Sequence, residues 1–360
     1  MQHRWHVEAS VHSPSGDPGD PAPYSGADSF TFVRLKLRDP DGVEGNGVTG
    51  RFLAPEVAHF LNRVLPDALN GPAKAPVADI ARRFNPRAMG GVVVSALSAL
   101  DIALSDIGAK RADVSVATLF GGKRKAAPVH VTCGFPELDM AGLADVCARE
   151  VEAGARGVKV LIASRRWGVA EDLARLRAVR AAIGPTAELI ADANCRMDAD
   201  LALEFVRGAR DLNLTWLEEP VEGNDCRDLA MLADEGIVLG AGQMEQSHER
   251  FDLLSKAGVR VIQPNAVFAG GVRAAIEVAK TASIRRATIS PAGGWDIFNL
   301  HWMCGAVEVG AVELNRAQAR IVRLLMPDGP AIDRGQMAVP ARPGLGLSPD
   351  EGALAACRVG

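Results

Sequence analysis

The stretches Glu-Leu-Ile-Ala-Asp-Ala-Asn at residues 188–194 and Thr-Trp-Leu-Glu-Glu-Pro at residues 215–220 decide the fold class. Each contains a short apolar run and reaches a carboxylate where that run stops. Leu201–Leu212, which lies between them, has the apolar periodicity of an amphipathic helix. The order strand, helix, strand is typical of a βαβ unit, in which the two strands lie parallel in one sheet.

The same alternation extends over most of the chain. We predict eight strands, at Val129–Cys133, Gly157–Ile162, Glu188–Asp192, Thr215–Glu218, Ile237–Ala241, Val259–Gln263, Ala287–Ser290 and Val312–Leu314. Amphipathic helices separate them, for example at Asp139–Ala153, Val169–Ile183, Leu201–Leu212, His248–Ala257 and Val272–Ala282. Eight strands favour an α/β fold of the (β/α) TIM-barrel type, whereas about six strands would favour an open, doubly wound sheet.

The residues before this barrel follow a different pattern. Strands are predicted at Trp5–His12, Phe30–Leu37 and Val43–Thr49, and helices at Pro55–Leu69 and Val92–Lys110. Strands followed by helices indicate an α+β lobe. We therefore divide the chain into an N-terminal α+β capping domain (residues 1–125), a barrel domain (126–325) and a Pro- and Gly-rich C-terminal segment (326–360) that packs back on the cap or the barrel.

Composition excludes several classes of partner. The formal net charge of −4 gives no global basic field for nucleic acid or an anionic membrane. No apolar run is expected to reach the ~20 residues that span a bilayer. The first residues lack the apolar stretch of a signal peptide, and the six cysteines are scattered without a C-x-x-C pair. We therefore expect reduced thiols and a cytoplasmic location.

Two carboxylates mark the predicted active site. The carboxyl ends of barrel strands carry the active sites of this fold, and Asp192 and Glu218 end two consecutive strands. Two like charges at one barrel mouth are costly unless a cation lies between them. Oxygen ligands of this kind suit Mg²⁺ or Mn²⁺. The alternative is that each carboxylate caps a helix or pairs with an arginine.

Several motifs along the chain share one resemblance. They are Gly-Val-Lys-Val (157–160), Asp-Ala-Asn (192–194), Trp-Leu-Glu-Glu-Pro (216–220), Gln-Pro-Asn (263–265), a Gly-Gly pair, Ala-Leu-Asp-Ile-Ala-Leu-Ser-Asp (99–106) and Leu-Phe-Gly-Gly (119–122). Their order and spacing resemble the mandelate racemase and muconate-lactonizing group of the enolase superfamily. The resemblance covers nearly the whole chain and implies a barrel with an N-terminal cap.

The resemblance also implies a chemistry. In that group a base removes the proton α to a substrate carboxylate, and Mg²⁺ stabilises the resulting enediolate. The ligands carried over by the resemblance are Asp192, Glu218 and Gln243, while Glu219 would point away from the metal as a salt-bridge or supporting residue. Mn²⁺ is an alternative metal.

The chain departs from the family pattern at its catalytic positions. Gln243 stands where the group usually has a glutamate, and Leu161 stands where it has the second lysine of Lys-x-Lys. Lys159 is then either the base or a cation that pairs with Glu218 or with the substrate. The histidine expected after the seventh strand is replaced by Asp296 and Ile297.

The remaining site predictions concern substrate contacts. Asp296 is predicted to be catalytic because it is the titratable residue near that position, and His301 is interpreted as a packed structural histidine. The predicted substrate-binding residues are Asn194, Asn265, which replaces an expected aspartate, Trp295, Tyr24 and Arg51. Arg165 and Arg166, beyond the second barrel strand, are weaker candidates for contact with an anionic substrate.

These residues lead to two hypotheses of different class. The first is a metal-dependent lyase that dehydrates an acid sugar or related hydroxy acid, and racemisation or cycloisomerisation is its variant. The second is a non-catalytic relative that binds a small carboxylate ligand without turnover. Assembly as a homo-oligomer is expected from the resemblance.

Overall fold

The computed structural model describes residues 4–14, 31–50, 52–72, 75–85, 89–164 and 166–359. Tyr24, Arg51 and Arg165, which are predicted from the sequence to contact substrate, lie outside these residues. The N-terminal elements are β1 (His6–His12), β2 (Phe32–Arg38), β3 (Glu44–Thr49), α1 (Ala54–Asn70), α2 (Pro76–Phe84), α3 (Gly91–Arg111) and α4 (Val116–Leu119).

Eight strands that alternate with helices follow. The elements are β4 (Ala126–Gly134), α5 (Met140–Glu152), β5 (Gly157–Leu161), α6 (Val169–Ile183), β6 (Glu188–Asp192), α7 (Ala199–Gly208), β7 (Trp216–Glu218), α8 (Cys226–Asp234), β8 (Leu239–Ala241), α9 (His248–Lys256), β9 (Val261–Ile262), α10 (Val272–Ile284), β10 (Thr288–Ile289), α11 (Asp296–Ala306), β11 (Val312–Asn315) and α12 (Ala319–Leu325). The C-terminal elements are β12 (Ile332–Asp333), β13 (Gln336–Ala338), α13 (Glu351–Ala356) and β14 (Arg358–Val359).

The eight strands form the predicted (β/α) barrel. Parallel pairing runs from β11 to β4 and then from each strand to the next as far as β10. β10 and β11 meet without strand pairing: the Ser290 hydroxyl donates to the Ala311 carbonyl over 3.3 Å. Gly310 has a φ of 123°, and a Cβ there would lie 2.3 Å from the Ile289 carbonyl oxygen, so only glycine permits this close approach.

The N-terminal sheet includes a strand from the other end of the chain. Its order is β14-β1-β2-β3, with antiparallel pairing throughout. Arg34 of β2 donates to both carboxylate oxygens of Glu351, each over 2.8 Å, which also joins the C-terminal residues to this sheet. β13 pairs antiparallel with β4, so the C-terminal residues contact the barrel as well as the N-terminal sheet.

α3 packs against β3 as the central helix of the N-terminal lobe. Its 21 residues are long and apolar enough to cross a membrane, contrary to the expectation from the sequence, but 83% of the apolar stretch is buried inside the protein. Small residues allow the close packing: a Cβ on Gly47 would lie 1.9 Å from the Ala99 carbonyl oxygen. Burial of both faces explains why this helix is apolar on all sides.

The N-terminal lobe reaches the carboxyl ends of the barrel strands. The Thr49 hydroxyl, at the end of β3, donates to the Val267 carbonyl in the segment after β9, over 2.9 Å. Arg273, at the start of α10, pairs with Asp101 of α3 at 2.5 Å. These contacts bring the lobe to the mouth of the barrel, where the polar strand ends predicted from the sequence are found.

Candidate active site

A cavity of about 560 Å³ lies at the carboxyl end of the barrel. Thr31 and Gly50 of the N-terminal lobe line it, together with barrel residues that include Thr132, Lys159, Leu161, Asp192, Asn194, Gln243, Gly293, Trp295 and Glu313. Of the predicted site residues within the described ranges, the cavity therefore brings together Lys159, Asp192, Asn194, Gln243, Trp295 and the weaker candidate Arg166. Glu218, Asn265 and Asp296 do not line it.

Lys159 is the centre of the charged cluster. β5 directs this side chain into the barrel, where Nζ lies 2.7 Å from Oε1 of Glu218, 3.1 Å from Oε1 of Glu313 and 3.3 Å from Oδ2 of Asp192. Burial favours the neutral amine, but these three carboxylates outweigh burial and raise the pKa of Lys159 well above its usual value. The side chain is therefore an ammonium at neutral pH, which favours the cation over the base among the two roles predicted for it.

Glu218 is fully buried beneath Lys159. Besides the lysine, Trp216 Nε1 donates to its Oε2 over 3.1 Å and Gln263 Nε2 donates to the same atom over 2.7 Å. Gly240, on the next strand, leaves room for the indole, because a Cβ there would lie 2.5 Å from the Trp216 ring. The barrel floor thus holds the Glu218 carboxylate in one orientation.

Asp192 lies beside Glu218 across the sheet. The two residues are directly paired in the β6–β7 register. Burial, followed by the negative charge of Glu218, raises the pKa of Asp192 well above its usual value, although Lys159 lowers it. The Asn194 backbone N–H donates to Asp192 Oδ1 over 2.9 Å, and Asn194 itself has a left-handed φ of 48°. The turn after β6 therefore positions both the carboxylate and the Asn194 side chain at the cavity.

Glu219 and Gln243 form a second polar pair at the mouth. Glu219 leaves β7 in a left-handed conformation, with a φ of 42°, and its buried carboxylate points toward the end of β8. It accepts hydrogen bonds from Gln243 Nε2 at 2.6 Å, Asn224 Nδ2 at 3.1 Å and the Gly242 N–H at 3.2 Å. These donors are uncharged, so the salt-bridge role suggested for Glu219 finds no cation among the described residues.

Glu313 is a site residue that the sequence analysis missed. It lies in β11, is 5% exposed, and accepts hydrogen bonds from the Thr132 hydroxyl and, over 2.8 Å, from the Gly294 N–H. Burial opposes its ionisation, but Lys159 and these donors hold the pKa of Glu313 below its usual range. A signal was available: a lone charge in the middle of the apolar run Val312–Leu314 points to a functional position facing the barrel interior.

Asn265 and Asp296, two of the predicted site residues, make contacts outside the cavity. Asn265 is fully buried, and its amide donates to the Ala292 and Gly294 carbonyls over 2.7 and 3.3 Å. It therefore holds the loop before α11 rather than facing the cavity. Asp296 is the first residue of α11, and its carboxylate accepts from the adjacent Ile297 N–H over 2.6 Å. Burial raises the pKa of Asp296 to about 7.

His301 is structural, as interpreted from the sequence. The Ala117 N–H donates to its Nδ1 over 3.2 Å, and its Nε2 lies 3.1 Å from the Leu345 carbonyl oxygen. Burial lowers the pKa of His301 to about 4, so the ring is neutral and Nε2 carries the proton that the carbonyl accepts. The histidine joins α11 to α4 and to the C-terminal residues.

The raised pKa of Asp296 predicts a pH-dependent stability. The unfolded chain loses this proton near pH 4 and the folded chain near pH 7, so stability falls as the pH rises between these values. Asp296→Asn removes this loss. We expect the variant to gain about 2–4 kcal/mol relative to the parent between pH 4 and pH 8, measured by urea unfolding. A constant difference across this range would contradict the prediction. Asp333→Asn, at an exposed aspartate, is the control.

Models of two protein families match this chain. The model described as mandelate racemase/muconate lactonizing enzyme, N-terminal domain, matches residues 23–121. The model described as enolase C-terminal domain-like matches residues 142–353. Among characterised proteins, an arabinonate dehydratase of Saccharolobus solfataricus is 29% identical over 272 residues, which cover 73% of this chain and 72% of that protein.

Further relatives have related activities. A 3,6-anhydro-alpha-L-galactonate cycloisomerase of Streptomyces coelicolor is 26% identical, with 92% of each chain covered. The solved structure of an L-talarate dehydratase from Polaromonas, complexed with Mg and L-glucarate, has a TM-score of 0.86 and 25% identity, covering 99% of this chain and 97% of that one. A Streptomyces coelicolor racemase with bound magnesium has a TM-score of 0.87 and 24% identity, covering 98% and 99%. The chain belongs to the mandelate racemase/muconate lactonizing enzyme group of the enolase superfamily.

Proposed function

We propose that this protein is a divalent-metal-dependent enzyme that removes the proton α to a carboxylate and dehydrates an acid sugar. The observation that carries the proposal is the set of Asp192, Gln243, Lys159 and Glu313 around one cavity at the barrel mouth. This set offers oxygen ligands, a fixed ammonium and a carboxylate to a small anionic substrate. The activities of the dehydratase relatives support the same reaction class.

The donor set fits Mg²⁺, with Mn²⁺ as an alternative. Carboxylates outnumber cations in the buried cluster, since Lys159 alone faces Asp192, Glu218 and Glu313. A carboxylate has about four lone-pair sites, so Glu218 retains one beyond its three hydrogen bonds. The third donor is the amide of Gln243, and the described residues accordingly include no metal-binding cluster of three His, Cys, Asp or Glu side chains.

We expect this ligand set to bind more weakly than one with three carboxylates, because an amide oxygen carries no net charge. Asp192, Glu218 and Gln243 would hold the cation. When bound, the cation supplies positive charge that stabilises the negative charge developing on the substrate carboxylate.

Lys159 and Glu313 have different roles in the proposed reaction, namely charge stabilisation and proton transfer. Lys159 keeps its proton and adds a second fixed positive charge beside the substrate carboxylate. Glu313 is ionised and buried in the cavity wall, so it accepts the α-proton and returns it to the hydroxyl that leaves as water from the neighbouring carbon. A carboxylate with a lowered pKa is a weak base, and we therefore expect slow turnover.

Other polar groups of the cavity suit the rest of an acid sugar. Asn194, Arg166 and Arg196 also line the cavity. They offer hydrogen-bond donors to hydroxyl and carboxylate oxygens. Trp295 contributes an apolar wall that the sugar ring carbons or chain can contact. A cytoplasmic location and assembly as a homo-oligomer belong to the same proposal.

The proposal is tested with the Mg²⁺-loaded protein and a panel of acid sugars in D₂O. We expect at least one sugar to yield a 2-keto-3-deoxy acid, detected by semicarbazide absorbance and by mass spectrometry. Asp192→Asn is the matched control, because it keeps the side-chain volume and removes one ligand charge. No product and no deuterium at the α-carbon, with Mg²⁺ bound, would refute the enzymatic function.

A carboxylate-binding protein without turnover is the second candidate. Leu161 lines the cavity at the position of a family base, and Gln243 replaces a ligand charge. The same experiment separates the candidates: calorimetric binding of a sugar acid without α-deuterium supports the second. Deuterium in recovered substrate without loss of water indicates a racemase or cycloisomerase instead.

A further inference from the structure

The Gln243 amide has one donor end and one acceptor end, and only one of them can face a cation. Its Nε2 lies 2.6 Å from Oε2 of Glu219. In this hydrogen bond the NH₂ group of Gln243 donates and the Glu219 carboxylate accepts, so the NH₂ group occupies that position. The carbonyl oxygen is consequently turned away from Glu219.

The carbonyl end is directed to the cavity. Gln243 Oε1 lies 3.2 Å from the position that a Cβ on Gly293 would occupy, and both Gly293 and Gln243 line the cavity. Glycine, with a φ of 81°, is the residue that permits this approach. The orientation thus places an oxygen, not an NH₂ group, on the side of Gln243 that faces Gly293.

Glu219 is held in place by further donors. Asn224 Nδ2 and the Gly242 N–H both donate to its Oε1, which leaves Oε2 for Gln243. The carboxylate is 4% exposed, so water does not compete for these contacts. Glu219 is therefore a rigid acceptor and not a mobile neighbour of the glutamine.

We propose that Glu219 is a positioning residue that turns the carbonyl oxygen of Gln243 toward the cavity and so makes an uncharged side chain serve as a cation ligand. The ligand role itself rests on the proposed function, whereas the orientation rests on the hydrogen bonds alone. At this position the amide of Gln243 takes the place of a ligand carboxylate, and its hydrogen bond to the Glu219 carboxylate fixes its orientation.

The Gln243–Glu219 contact predicts that a glutamate at position 243, the residue usual in the family, destabilises this protein. In Gln243→Glu, two carboxylates meet where the 2.6 Å contact now lies, and the repulsion destabilises the folded protein. In Glu219→Gln, the new carbonyl oxygen accepts from Asn224 and Gly242, so its NH₂ group faces Gln243. Gln243 then flips and presents its own NH₂ group to the cavity. The double variant Glu219→Gln/Gln243→Glu restores a donor–acceptor pair and keeps the total charge.

Two measurements on these three variants and the parent test the inference. The first is thermal unfolding in EDTA, where we expect each single variant to unfold about 2–4 °C below the parent and the double variant close to it. The second is Mg²⁺ binding by calorimetry, where we expect Glu219→Gln to weaken binding at least about tenfold and the double variant to recover it. Glu245→Gln, at a glutamate paired with Arg250, is the matched control.

The outcomes separate the inference from the proposed function. Independent effects of the two single changes in EDTA would overturn the inference, as would a folded Glu219→Gln that binds Mg²⁺ within about threefold of the parent. Coupled effects in EDTA, with no Mg²⁺ binding by the parent, would support the orientation and refute the metal-dependent function. Coupled effects in both unfolding and Mg²⁺ binding would support the Gln243 orientation and the metal-dependent function.

Discussion

Lys159→Met is expected to destabilise the protein by about 3–5 kcal/mol and to lower any turnover at least about 10²-fold. The lysine is the only described cation within ion-pair distance of the Asp192, Glu218 and Glu313 carboxylates. Methionine keeps an unbranched side chain as far as the ε position and removes the charged ammonium group. Three buried carboxylates would then face one another without compensation, which costs far more than the loss of an exposed ion pair.

Urea unfolding and the dehydration assay measure the two effects of this substitution. Lys280→Met is the control, because Lys280 forms an ion pair with Glu277 in which both side chains are more than 60% exposed. We expect that control to change stability by less than about 0.5 kcal/mol. Equal stabilities for Lys159→Met and the parent would mean that the three carboxylates are neutral in the folded protein, and would remove the basis for the ammonium assigned here.

Glu313→Gln is expected to lower α-proton exchange by about 10²–10⁴-fold while the protein stays folded. Glutamine has the same shape as glutamate, but its amide accepts no proton at neutral pH. Lys159 keeps its partners Glu218 and Asp192. The Gly294 N–H can donate to the new carbonyl oxygen, and the Thr132 hydroxyl can rotate to accept from the new NH₂ group.

The readout for Glu313→Gln is deuterium incorporation at the substrate α-carbon, with Mg²⁺ affinity as a parallel measurement. We expect the affinity to change by less than about tenfold, because Glu313 is not one of the proposed ligands. Exchange that persists at more than about a tenth of the parent rate would exclude Glu313 as the proton acceptor. Thr132→Val, which removes one donor to Glu313, should have a smaller effect on exchange.

The barrel was predictable because the spacing of apolar residues along the chain follows the buried faces of its strands and helices. Each inner strand is apolar since both of its faces are covered, and each helix is amphipathic since one face meets the sheet. The prediction of a (β/α) barrel with an N-terminal cap is confirmed by the fold of the solved structures it resembles. α4, α12 and α13 were missed, because helices of 4–7 residues carry too few turns for their period to stand out, and α2 was missed as well.

The site was predictable only where position along a strand decides it. Asp192 and Glu218 end consecutive strands, and the register pairs them directly, as their places in the sequence indicate. Their role as metal ligands stays a prediction. Glu313 was missed because its charge lies within a strand and not where the strand ends, and closure of the ring, with β11 beside β4, brings it to Lys159.

By itself, the sequence determined the fold class, the strand ends at which carboxylates gather and the departures at Leu161 and Gln243. The tertiary structure decided which groups carry charge and which way they face. It made Lys159 an ammonium, because three carboxylates from different strands surround it. It also directed the Gln243 amide, because Glu219 accepts from its nitrogen. Such properties depend on distances between residues far apart in the chain, and no local pattern encodes them.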